Sequence, residues 1–242
     1  MKQKIGNIEV NYIDYGKENG KPVVLLHGWG QNIEMMKMVG DRFQRDFRII
    51  IIDLPGHGAS EKPDSIWTIY EYATCVHTLL EKIGVTNPIM IGHSFGGKIT
   101  LAYASQYGCE KIVLLASPFK KEIQKLSMKT KVLKSLKKVP GLNKFEEVAK
   151  KHIGSRDYRN ADPIMRQILV EHVNLDITKD VQKINCPSLI IWGTEDDEVP
   201  VERAFELEKL IKDSGTVILE GGTHYAYLEF LERVISILRN FL

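Results

Sequence analysis

Six short apolar runs, separated by stretches with helical periodicity, constrain this chain more than any other feature. They are Val23-Val24-Leu25-Leu26, Ile49-Ile50-Ile51-Ile52, Ile89-Met90-Ile91, Ile112-Val113-Leu114-Leu115, Leu189-Ile190-Ile191 and Val217-Ile218-Leu219. Each is rich in Leu or β-branched residues, and most are bounded by Gly, Pro or charge. Continuous rather than alternating hydrophobicity marks strands buried on both faces, as in a parallel sheet covered by helices. Helical patterns fill the gaps, at Ile69 to Ile83, Lys98 to Tyr107, Glu202 to Lys212 and Leu228 to Leu242. The alternation predicts a doubly wound α/β sheet. Near the start, Lys4-Ile5 and Ile8-Glu9-Val10 flank Gly6-Asn7, which predicts an antiparallel hairpin at a sheet edge.

One segment breaks the rhythm. From Pro118 to Lys183 there is no strand-like run, only helical patterns punctuated by Pro140-Gly141 and Asp162-Pro163. Between Lys120 and Lys151 stand 11 lysines against three acids, Glu122, Glu146 and Glu147, a local excess of 8 positive charges. Such an insertion after a strand can form a lid over the strands' carboxyl ends, where ligands bind in this architecture. The lysines themselves read as a solvated helix face. The expected division is a core of residues 1–117 and 184–242 and a helical cap of residues 118–183.

Composition excludes several classes. The chain's 33 basic and 31 acidic residues leave a net charge of +2, so no global field points to nucleic acid. Cys75, Cys109 and Cys186 are odd in number and lack metal-ligand spacing, which argues against a zinc site or a disulfide framework and for a reducing compartment. The opening residues contain no apolar stretch of the kind a signal peptide needs. No run approaches the 18 or so apolar residues of a membrane span. The expectation is a soluble cytoplasmic protein.

Chemistry centres on Gly92-His93-Ser94-Phe95-Gly96-Gly97, between the strand Ile89-Met90-Ile91 and the helix that follows. A strand-to-helix turn this tight needs small residues on both sides of Ser94. It presents the hydroxyl above the sheet, beside a helix N-terminus. A phosphate loop fits poorly, since there is no GxGxxG and no Lys-Ser/Thr pair. Serine needs an adjacent base and a third group to orient that base. Of seven histidines, His224 lies in the glycine loop Gly221-Gly222-Thr223 directly after a late strand, whereas His77, His152 and His172 fall in helical stretches. The acid is sought at another strand end, where Thr194-Glu195-Asp196-Asp197 follows Trp192-Gly193.

These motifs resemble the α/β-hydrolase superfamily, specifically its small capped, esterase-like serine members. The elbow around Ser94, the order Ser…Asp…His, His27-Gly28-Trp29, Asp53-Leu54-Pro55-Gly56-His57-Gly58-Ala59-Ser60, and Gly193-Thr194-Glu195-Asp196 with Val199-Pro200 all carry the likeness. The resemblance implies an α/β-hydrolase fold with a mostly parallel eight-stranded sheet and a helical cap between late strands. It further implies Ser94 as nucleophile, His224 as base and Asp196 as its orienting acid, with backbone N–H groups of Trp29 and Phe95 as the oxyanion hole. No cofactor and no metal are implied. Relatives that open epoxides or displace halides carry aspartate where Ser94 stands.

The implied activity is hydrolysis of small to medium carboxylic esters through an acyl-enzyme, with a small-molecule acyl compound as the partner. Pocket candidates are Trp29, Met35, Met36, Trp67, Phe95, Phe119, Leu126 and Leu133. A lyase or C–C bond hydrolase on the same triad is one alternative. A non-catalytic ligand receptor or signalling protein of the same fold is another, because fold does not fix function.

Overall fold

In the computed structural model the described residues are 1–121 and 162–242. Eight strands form one sheet: β1 (Lys2–Ile5), β2 (Ile8–Gly16), β3 (Pro22–Leu26), β4 (Arg48–Ile52), β5 (Ile89–His93), β6 (Lys111–Leu115), β7 (Ser188–Gly193) and β8 (Ser214–Leu219). Their spatial order is β1-β2-β4-β3-β5-β6-β7-β8. The first two pairings are antiparallel and the remaining five parallel. Each of the six apolar runs is a strand, and the Gly6-Asn7 turn joins the edge hairpin.

Side chains alternate across the sheet, so each continuous run splits between two cores. Val24, Leu26, Ile50 and Ile52 point to one side, and Val23, Leu25, Ile49 and Ile51 to the other. Helices α2 (Ile69–Lys82), α3 (Phe95–Tyr107) and α6 (Glu202–Leu210) contribute Leu79, Ile99 and Leu207 to the first layer. Helices α1 (Ile33–Gly40) and α8 (Leu231–Phe241) close the second with Met36, Val39, Val234 and Leu238. The remaining described helices are α4 (Pro163–Asn174), α5 (Thr178–Val181) and α7 (Ala226–Glu229).

Several boundaries differ from the sequence reading. Helix α1 has no counterpart in it, although Asn32 caps the helix by accepting from the Glu34 N–H and buried Ile33, Met36, Val39 and Gly40 follow at helical spacing. Helix α3 begins at Phe95 rather than Lys98, because the chain enters it directly from the turn at Ser94. The expected helix from Leu228 to Leu242 is two helices, since Phe230 leaves helical geometry at φ −113° and ψ 39°.

Among the described residues of the stretch 118–183 there is no strand. Phe119, Ile177 and Val181 are buried in the same layer as α2 and α3. Leu126 and Leu133 lie outside the described residues. No described helix is long and apolar enough to cross a membrane.

Leu25 is completely buried between two neighbouring parallel strands. Leu25→Ala is expected to lower unfolding free energy by about 2–5 kcal/mol, through lost transfer energy and the cavity left behind. Lys2→Ala, which removes an exposed ion pair to Glu9, is expected to change it by less than about 1 kcal/mol. Urea unfolding of both variants measures the contrast.

Candidate active site

Five parallel pairings place the carboxyl ends of β3 to β8 along one rim of the sheet, and the motif residues follow those ends. Ser94 stands between β5 and α3 with φ +50° and ψ −111°. A non-glycine residue held at positive φ costs on the order of 1–3 kcal/mol and persists only where its surroundings enforce it. Here the Ser94 N–H donates to the Leu115 carbonyl at 2.9 Å, and the Gly96 N–H donates to the His27 carbonyl at 3.1 Å. A Cβ on Gly92 would meet the Gly96 carbonyl, and one on Gly96 would meet the carbonyls of Leu26 and His27. Small residues are therefore obligatory on both sides of Ser94, which remains partly accessible.

His224 and Asp196 arrive from two loops bound to each other. The Thr194 N–H donates to Leu219 O at 3.1 Å, the Glu195 N–H to Gly222 O at 2.8 Å, and the Gly221 N–H to the Thr194 hydroxyl at 2.8 Å. Gly193 lies so close to the Gly222 backbone that a Cβ there has no room. Within this frame His224 Nδ1–H donates to Asp196 Oδ2 at 2.8 Å, with both side chains buried. The other oxygen, Asp196 Oδ1, accepts the N–H groups of Glu198 and Val199 at 2.9 and 2.8 Å. Asp196 is thus fixed by three donors, while Asp197 and Glu195 are exposed.

Three further groups in this region were not singled out by sequence reasoning. His93 Nε2–H donates to the His224 carbonyl at 3.0 Å, so the residue preceding Ser94 holds the loop of His224. The exposed Glu198 carboxylate lies 3.6 Å from His224 Nε2, on the ring edge away from Asp196. Asp53 accepts from the Ile33 and Ala59 N–H groups and from Asn11, each at 2.8 Å, which ties the loop 53–60 to the start of α1. Sequence contained only indirect signals of these roles, because each depends on a partner at least 20 residues away.

The two histidines at the strand ends are struts. The Leu54 N–H donates to His27 Nε2 at 3.0 Å, so the proton sits on Nδ1 and is given to the Gly28 carbonyl at 2.7 Å. Burial, reinforced by His57, pushes the pKa of His27 down to about 4. Burial, with His224 nearby, lowers His93 to about 3. Both rings are neutral at pH 7.

Aromatic rings cluster around Phe95, the residue after Ser94. Trp29 packs edge-on to Phe95 at 5.0 Å and to His57 at 4.8 Å, and Phe95 contacts Tyr72 at 5.1 Å and His172 of α4 at 4.6 Å. Among the pocket candidates, Trp29 and Phe95 belong to this cluster, and partly buried Trp67 joins it through Tyr72 at 5.5 Å. Met35 is partly exposed on α1. Met36 is not part of this cluster: it is fully buried in the layer between α1 and the sheet, where its flexible thioether fills core. Phe119 is buried in the same layer as Phe95 and Tyr72. The N–H groups of Trp29 and Phe95 donate no hydrogen bond among the described residues.

The comparisons agree with this architecture. A family model described as the alpha/beta hydrolase fold matches residues 21–140. The AB hydrolase superfamily protein YisY of Bacillus subtilis is 27% identical, covering 92% of each chain. Lipase 1 of Psychrobacter immobilis is 25% identical over 91% of this chain and 76% of its own length. The crystal structure of the enol-lactonase from Burkholderia xenovorans superposes with a TM-score of 0.76 at 21% identity, covering 100% of this chain and 99% of that one. This chain belongs to the α/β-hydrolase superfamily.

The neutral histidines generate a pH prediction. Unfolded, each would titrate near 6.5, so between about pH 6.5 and pH 4 the unfolded chain binds more protons than the native one. Stability is expected to fall as pH drops through that window, by up to about 1.4 kcal/mol per pH unit for each histidine. Denaturant unfolding across the window, compared with His93→Gln, measures one share: the variant's slope is expected to be shallower by about one proton, and an unchanged slope contradicts a neutral His93.

Proposed function

We propose that the protein is a serine hydrolase that cleaves small to medium carboxylic esters through an acyl-enzyme formed on Ser94. The observation that carries this reading is the pairing of a serine enforced at positive φ on a strand-to-helix turn with a buried His224–Asp196 hydrogen bond on neighbouring loops. In this mechanism Ser94 Oγ attacks the acyl carbonyl while His224 Nε2 takes its proton. Asp196, held by two backbone donors, keeps the proton on Nδ1 and stabilises the imidazolium that forms. The uncommitted N–H groups of Trp29 and Phe95 receive the oxyanion, with the start of α3 adding its partial positive charge. His224 then returns the proton to the leaving alkoxide, and water repeats the sequence to release the acid. The name of Lipase 1 among the relatives is consistent with ester hydrolysis.

The cap reading of residues 118–183 belongs to the same proposal. It is supported by α4, which lies within that stretch and sets His172 against Phe95, the residue after Ser94. Met165 of the same helix approaches Gly56 in the loop 53–60. The ring cluster next to Ser94 favours apolar acyl groups. Substitutions at Leu126 and Leu133 are expected to alter relative kcat/KM among acyl chain lengths, because each pocket methylene is worth about 1–3 kcal/mol.

A fluorophosphonate is expected to add once, at Ser94, and Ser94→Ala to abolish both labelling and turnover of p-nitrophenyl esters. Intact mass of folded protein without an adduct defeats the proposal. Asp196→Asn is expected to lower kcat by up to about 10⁴-fold by favouring the wrong tautomer. Asp197→Asn, at an exposed position, is expected to change it little. Steady-state kinetics of both folded variants on one ester decide between the neighbouring carboxylates.

A further inference from the structure

Far from Ser94, at the opposite rim of the sheet, the structure brings two of the three cysteines together. Cys109 lies just before β6 and Cys186 just before β7, 77 residues apart in the chain, with their sulfurs 3.6 Å from each other. Both are free thiols. The backbone around them is held by the sheet: the Ile112 N–H donates to Pro187 O at 3.0 Å, and Ile112 is in register with Ser188. Adjacent strands run about 4.8 Å apart, inside the range of Cα separations that a disulfide spans. Joining the sulfurs needs an approach of about 1.5 Å, since the bond itself is about 2.05 Å.

The two thiols are not equivalent. Cys109 is buried, and Cys186 is partly exposed in front of it. The hydrogen bond from Cys109 favours the Cys186 thiolate and lowers its pKa, with a contribution from Ser188, against the opposing effects of desolvation and Asp213. Cys109 is raised for the complementary reasons, its hydrogen bond to Cys186 and burial. The accessible sulfur is therefore the one with more thiolate, the form that attacks. Cys75, buried in α2 and pushed up to about 12 by burial, lacks both features.

We propose that Cys109 and Cys186 are a dithiol modification site that closes to an intramolecular disulfide by exchange with a low-molecular-weight disulfide. Cys186 thiolate attacks one sulfur of the small disulfide, forming a mixed disulfide and releasing one small thiolate. Cys109 then loses its proton and attacks the Cys186 sulfur, forming the Cys109–Cys186 bond and expelling the second small thiolate. The protein dithiol is oxidised by two electrons and the small disulfide is reduced to two thiols. The closed loop contains β6 and the whole stretch 116–185, and Cys186 lies just before β7, so the bond ties together the two strand starts that bracket the insertion. Strand β7 separates this rim from Asp196 by about 20 Å, which places the modification outside the chemistry proposed for Ser94. Its consequence is on stability, because a cross-link over a loop this long restricts the unfolded chain strongly.

The test treats the folded full-length protein with oxidised glutathione, traps free thiols by alkylation, and maps cysteines by peptide mass spectrometry alongside thermal unfolding. The expected wild-type result is a Cys109–Cys186 linked peptide, alkylated Cys75, and a Tm higher by about 5–10 °C that dithiothreitol reverses. Cys109→Ser is expected to stop at glutathione on Cys186, and Cys186→Ser to remain unmodified at Cys109; neither gains Tm on oxidation. Cys109→Ala serves as a second variant for the first should the serine unfold it. Stable glutathione on wild-type Cys186 without the linked peptide, a disulfide between two chains, or no reaction overturns the proposal. None of these readouts depends on ester turnover, so the outcome is independent of the hydrolase reading.

Discussion

The backbone reversal at Ser94 is the constraint on which the rest of the rim depends. A parallel strand and the helix that packs back on it must be joined here by a single residue at positive φ. That geometry leaves no volume for side chains on Gly92 or Gly96, whose neighbours are the backbones of β3 and α3. The cost of the strained dihedral is met by fixed hydrogen bonds from both sides of the turn and by the packing of α3 on the sheet. The same reversal leaves the hydroxyl of Ser94 partly accessible and starts a helix beside it, so strain and the proposed nucleophilicity share one origin.

Around that turn, polar groups are used in pairs that leave little slack. Asp53 and Asp196 occupy comparable roles at two strand ends, each accepting backbone N–H groups with one oxygen or both and binding a side chain with the other. Buried carboxylates are tolerated when every lone pair they expose is met by a donor. His27 and His93 complete the frame as neutral rings, one linking β3 to the loop after β4, the other linking the elbow to the loop of His224. Neutrality follows from burial: charging either ring would require solvation that the sheet edge cannot supply. The proposed acid and base therefore sit on loops stitched by main-chain bonds, and the His93 ring ties the loop of His224 to the elbow of the proposed nucleophile.

Much of this was legible in the amino-acid sequence, for a definite reason. Strand identity came from local composition, since a run such as Ile49 to Ile52 is apolar on both faces only when both faces are covered. The motif glycines were legible because they answer to local sterics at Gly92 and Gly96. Helix α1 escaped notice because its signal, Asn32 followed by Ile33, Met36 and Val39, is short and abuts a glycine loop. Met36 looked like a pocket wall because hydrophobicity alone does not distinguish one face of the sheet from the other. The interruption at Phe230 is likewise absent from a periodicity that runs on from Leu228 to Phe241.

By itself the sequence determined the fold class, the strand set, the edge hairpin and a short choice of chemical groups, all properties that arise within about a dozen neighbouring residues. Only the tertiary structure decided that His93 holds the main chain of His224 and that Glu198 borders its free edge. The motif resemblance already names Asp196, and the fold supplies its 2.8 Å contact with His224. It alone also set Cys109 against Cys186 across 77 residues of chain. Each of these contacts joins residues brought together by strand order, and strand order is settled by packing two helical layers onto one twisted sheet. Local sequence carries no measure of the distance between loops on different strands, whereas the folded sheet fixes that distance to within a hydrogen bond.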